Sequence, residues 1–90
     1  MDLDMKLFLN CLNEFTNAIN EFIDYESNHK NERNLSFIQE LNAKYYDIIF
    51  YLGDIYFWCN KELDTSPEIK KWILNSIEDC RTKICALDPE

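Results

Sequence analysis

The chain has one glycine, one histidine and two prolines in 90 residues, and nine Lys and Arg against 17 Asp and Glu. Each scarcity closes off a class of chemistry. A phosphate-cradling loop needs several glycines to bring backbone N–H groups round the ligand, and one cannot supply it. A single histidine, His29, cannot complete a zinc set with Cys11, Cys59, Cys80 and Cys85, which form no C-x-x-C pair. No metal and no cofactor is therefore expected. The basic residues are scattered singly or as Lys70-Lys71, and a net charge of −8 repels nucleic acid. No apolar run approaches the ~20 residues of a membrane span, because Asp47 and Asp54 interrupt the most apolar stretch.

What is present is apolar surface and acid. A 90-residue chain is expected to form one domain over 1–90, with a core that covers only ~60–65% of its unfolded surface. An apolar fraction of 47% and an aromatic fraction of 14% answer that shortage, since large rings bury much area per residue ordered. The acid is uneven. Residues 1–29 hold six carboxylates against Lys6 alone. The start Met1-Asp2-Leu3-Asp4 lacks a signal peptide's basic opening, so a cytoplasmic protein with reduced thiols is expected. Ten Asn and three Ala fit an AT-rich coding sequence of a low-GC bacterium, phage or other mobile element.

The periodicity predicts an all-α fold: an antiparallel three-helix bundle with helices at roughly 2–26, 34–64 and 66–87. In the first helix Met5, Phe8, Leu12, Phe15, Ile19 and Phe22 recur at 3,4 spacing, which lines one face. Asp2 and Asp4 suit its positive start. A polar segment from Glu26 to Asn31 ends it. In the second, Ser36 with Gln39 fits a capping box, and Ile38, Leu41, Tyr45, Ile48, Leu52, Ile55 and Cys59 keep the rhythm. The aromatic segment 45–59 could instead be a hairpin turning at Gly53-Asp54. Helix is preferred because the apolar positions do not alternate. In the third helix Ser66, Pro67 and a Thr65/Glu68 capping box mark the start. Ile69, Ile73, Ile77, Cys80, Ile84 and Leu87 form its inner face, Asp79 and Lys83 an outer i,i+4 pair, and Pro89 its stop. Short links make neighbouring helices antiparallel.

No constellation supplies a nucleophile, a base with its orienting partner, or an oxyanion site, so no enzyme is expected. Asp47 and Asp54, considered as an acid/base pair, lie ~10.5 Å apart along a helix with nothing beside them to complete a relay. His29 sits in a polar loop. Cys80 and Cys85 lie ~140° apart round a helix, which puts one in the core and the other outside.

The candidates for binding are two stripes. On helix 2, Lys44, Asp47, Tyr51, Asp54, Trp58 and Lys61 recur at 3,4 spacing, with Tyr46, Phe50 and Phe57 beside them. Rings next to a few carboxylates are the composition of interface hot spots. The same rings would be core if helix 2 were covered by both neighbours. On helix 1, Asn10, Asn13, Asn17 and Asn20 form a polar stripe flanked by Glu14, Glu21 and Asp24, read either as an acidic docking face or as plain solvated surface. No motif identifies a family. The general plan resembles small acidic helical immunity proteins and other small inhibitors, which set carboxylates and tyrosines against a basic toxin or nuclease. The resemblance is one of type, and it implies a non-catalytic protein that neutralises or regulates a basic partner: an immunity protein, antitoxin or phage counter-defence inhibitor. Asp47, Tyr51, Asp54, Trp58, Glu14, Glu21 and Asp24 are the expected contact residues. The alternative is a homo-oligomeric adaptor, a homodimer paired through helix 2.

Overall fold

The structure, a computed structural model, describes residues 3–32 and 34–87. It is all-α. Among the described residues the order is α1 (Leu3–His29), α2 (Leu35–Trp58), α3 (Asn60–Asp64) and α4 (Pro67–Cys85), with no strand. The hairpin alternative for 45–59 is thereby removed, since α2 runs straight through Gly53. Asp2 at the first helix start and Pro89 as the last stop lie outside the described residues.

The seam of α1 is the one its periodicity predicts, with one correction. Phe8, Cys11, Phe15, Ala18, Ile19 and Phe22 are buried, but Met5 is exposed. Facing them are Phe37, Leu41, Ile48 and Ile55 of α2. Tyr25 stacks on Phe37, ring centroids 5.8 Å apart, and Cys11 meets Cys59. The end of α1 thus lies beside the start of α2, and its beginning beside the end of α2, so the two are antiparallel. α4 follows the direction of α1: Trp72 packs edge-on against Phe15, with centroids 5.8 Å apart, and Cys80 lines a groove with Ile19 and Ile23. Of its predicted inner face only Ile73 and Cys80 are fully buried. Ile69, Ile77, Ile84 and Leu87 are half-covered. The molecule is a rod of 46 × 19 × 18 Å.

Three local details differ from the sequence expectation. Asn34, not Ser36, caps α2: its Oδ1 accepts a hydrogen bond from Phe37 N at 2.9 Å, while Ser36 lies inside the first turn. Asn and Ser serve equally as caps, and the winner is the residue whose backbone is extended, here Asn34 with ψ 176°. At α4 the Thr65 hydroxyl donates back to Glu62 O at 3.0 Å and Ser66 makes no side-chain cap. Glu78 and Arg81, at 3.8 Å, take the place of the expected Asp79–Lys83 pair.

The second predicted helix is two helices. Its path over 34–64 is broken at Cys59, whose φ of −130° and ψ of 26° leave the helical region. Cys59 N still donates to Ile55 O and Leu63 N still donates to Cys59 O, each at 2.9 Å, so the axis is redirected without a loop. The run Ile55-Tyr56-Phe57-Trp58-Cys59-Asn60 consists of weak helix formers and resists little. The bend keeps Cys59 and Leu63 buried while α3 touches both α1 and α4.

No polar side chain among the described residues is buried, so the core rests on apolar packing alone. Phe15→Ala should cost ~3–5 kcal/mol by denaturant unfolding, as a large ring removed from a full core. Asn34→Ala should cost ~1 kcal/mol. A loss under ~1 kcal/mol for Phe15→Ala would mean that the α1–α2 seam is not the centre of the fold.

Candidate functional site

α2 buries one face and has nothing to cover the other. Two residues along a helix turn it by ~200°, so the positions two beyond Ile48 and Ile55 point away from the core. Those positions are Phe50 and Phe57. Tyr46, Phe50, Phe57 and Trp58 are 71%, 66%, 74% and 62% exposed, and Ile49 and Tyr56 are also partly open to solvent. Phe57 and Trp58 pack edge to face at 4.7 Å, as do Phe50 and Tyr51 at 5.6 Å. Single exposed apolar residues are ordinary, whereas several exposed rings along the outward face of one helix are a candidate contact surface.

Gly53 lies within this row. A Cβ built there meets nothing within 4 Å. No neighbour inside the molecule excludes a side chain, although glycine costs a helix interior ~1 kcal/mol against alanine.

Beside the rings lies acid. Glu14, Asn17, Ala18 and Glu21 of α1 and Asp47 and Tyr51 of α2 line a groove of about 230 Å³. Two facing helices place these groups together, with Ala18 buried and Tyr51 half-buried in the lining. Glu14, Glu21, Asp47 and Asp54 have no ion-pair partner among the described residues. Asp54 is half-buried further along α2, close enough with Glu14 to act on the Cys11 thiol. The structure therefore brings Glu14, Glu21, Asp47 and Tyr51 to one groove. It sets Asp54 beyond it, leaves Trp58 exposed at the end of α2, and keeps Asp24 exposed on α1 outside the groove.

The helix 2 stripe runs unbroken along α2 from Lys44 to Trp58. Lys44 is turned inward, 3.6 Å from Glu40 and over the Tyr25 ring at 5.3 Å. Lys61 lies past the bend, on α3. The outward centre of α2 is Tyr46, Phe50, Gly53 and Phe57; the sequence placed the three rings only as neighbours of the stripe and Gly53 only as a possible turn. Opposition to Ile48 and Ile55 was the available signal. The asparagine stripe of α1 is exposed, with only Asn17 at the groove edge.

Elsewhere the chemistry is sparse. A larger groove of about 400 Å³ between α1 and α4 is lined by Ile19, Ile23, Ser76, Asp79 and Cys80 among others. Its Thr82 hydroxyl is engaged by Glu78 O at 2.8 Å. His29 Nδ1 lies 3.2 Å from Glu32 Oε2, and its ring is tilted over Tyr25. Among the described residues no three His, Cys, Asp or Glu side chains stand together as a metal site, and no helix is long and apolar enough to cross a membrane. Comparison with protein-family models, with curated proteins and with solved structures finds no match to this chain.

The thiols divide as the helix geometry of Cys80 and Cys85 predicts: Cys80 is buried and Cys85 exposed. Burial pushes the Cys59 and Cys80 thiols up to about 11, reinforced at Cys59 by neighbouring Cys11 and at Cys80 by Asp79. Cys11 is raised by burial, opposed by a hydrogen bond with Cys59, with the Asp54 and Glu14 charges adding to the rise. A raised thiol favours the folded state while it stays protonated. That contribution is full below the ordinary thiol value near 9 and is lost as pH climbs through about 11. Unfolding midpoints should therefore be insensitive to these thiols at pH 7 and fall between pH 9 and pH 11. Thiol titration with an aromatic disulfide at pH 7.5 should find one fast group, lost in Cys85→Ser. Fast reaction of all four in the folded protein would contradict this.

Proposed function

We propose that this chain is a non-catalytic binding protein that neutralises or regulates a basic protein partner, in the manner of an immunity protein, antitoxin or phage counter-defence inhibitor. One observation carries the reading: carboxylates at Glu14, Glu21 and Asp47, without an ion-pair partner among the described residues, border a row of exposed rings on α2. Rings of this kind hold a complex by burying area. The carboxylates speed the encounter and select charge, and the net −8 extends that selection beyond contact range. The thiol within reach of Asp54, that of Cys11, is buried and raised by that burial, which makes it a poor nucleophile and supports binding over catalysis.

The reading is tested on the partner that copurifies from the native host, once identified. Glu14→Gln with Glu21→Gln should slow association several-fold and flatten its salt dependence, because exposed charges act over a Debye length of ~8 Å at physiological salt. Phe50→Ala should instead speed dissociation, at a cost of ~2 kcal/mol if the ring is a hot spot. Kinetics indifferent to salt and to all three substitutions would refute the acidic-binder reading.

A further inference from the structure

We propose that the outward face of α2 receives one amphipathic α-helix of the basic partner, laid along α2 and closest to it at Gly53. This deepens the binding reading above and rests on it.

The spacing is the first argument. Ala43, Tyr46, Phe50, Gly53 and Phe57 follow one another at 3,4,3,4 intervals, the seam that one helix offers another. All five are exposed, and all lie on a single unbroken helix of 24 residues. The small residues are the second argument. Ala43 and Gly53 are notches between rings, and the space over Gly53 is empty. A glycine that no turn and no internal contact requires is accounted for if another backbone must come close there.

Charge decides the occupant. The seam has two unlike borders. On one side run Asp47 and Asp54, with Glu14 and Glu21 across the groove. On the other side are Ile49 and Tyr56, which carry no charge. The complementary helix has an apolar face with lysines or arginines on the flank that meets the carboxylates. A second copy fits poorly. An antiparallel pair would set the acidic border against its own image and join two chains of net −8.

The test uses the full chain and three synthetic helical peptides. One has leucines at 3,4 spacing flanked by lysines. The second has glutamates in place of the lysines. The third keeps the lysines but shuffles the leucines off one face. Anisotropy of labelled peptide is measured against the native chain, Gly53→Leu, Phe50→Ser and Glu14→Gln with Glu21→Gln. The ordered lysine peptide should bind one to one, at least tenfold tighter than either control. Gly53→Leu should weaken it at least tenfold without lowering Tm, although the added leucine would strengthen any unspecific apolar patch. Equal or tighter binding by Gly53→Leu, or no binding of the ordered peptide, would overturn the helix inference. So would a dimer in sedimentation that Phe50→Ser disperses. If the shuffled peptide bound as well as the ordered one and the Glu14/Glu21 variant lost both, the basic-partner reading would stand and the helix would fall. If the glutamate peptide bound as tightly as the lysine peptide, both would fall.

Discussion

The packing of α1 on α2 governs what the rest of the molecule can do. Phe8, Phe15 and Phe22 meet Leu41, Ile48 and Ile55 with no polar group among them, and each fully buried side chain contributes ~1.5–3 kcal/mol against leaving it exposed. A helix has one stripe to give to such a seam. Once α2 has turned its aliphatic residues to α1, the residues ~180° away must face outward unless another element covers them. α4 does not, since it buries only Ile73 and Cys80 fully and lies against the seam. The exposure of Tyr46, Phe50 and Phe57 is thus a consequence of having too few helices for the length of α2. It is also a standing cost, because a solvent-exposed aromatic row invites association.

The carboxylates belong to the same geometry. Antiparallel α1 brings Glu14 and Glu21 alongside Asp47 and Tyr51, and none of these three carboxylates has an ion-pair partner among the described residues. Apolar surface and acid on adjacent strips of one rod would act on the proposed partner at different ranges: the charge before contact and the rings after it. A basic partner with an apolar face would gain from both.

How much of this was legible in the sequence depended on whether the deciding physics is periodic. The α1 seam was readable because 3,4 spacing is a direct image of 3.6 residues per turn; Met5, which is exposed, and Leu12, which is half-buried, are the positions that depart from full burial. The α2 start was placed correctly near residue 34, but its cap was assigned to Ser36 because Asn and Ser are equal caps by residue type, and the extended backbone of Asn34 decides between them. The bend at Cys59 left no trace, since apolar rhythm and two hydrogen bonds continue through it. The proposed docking surface was half legible. Glu14, Glu21, Asp47 and Tyr51 were picked for their chemistry and do share a groove, whereas the row through Gly53 emerges only when the wheel is oriented by Ile48 and Ile55.

The central claim is that the outer rings of α2 serve contact with another molecule and not the fold. It is tested most directly by the unfolding free energy of a Tyr46→Ser, Phe50→Ser, Phe57→Ser variant in denaturant. Surface rings predict a change of at most ~0.5 kcal/mol per site with an unaltered helical spectrum. A loss of ~3 kcal/mol or more per ring would place them in the core and contradict the account.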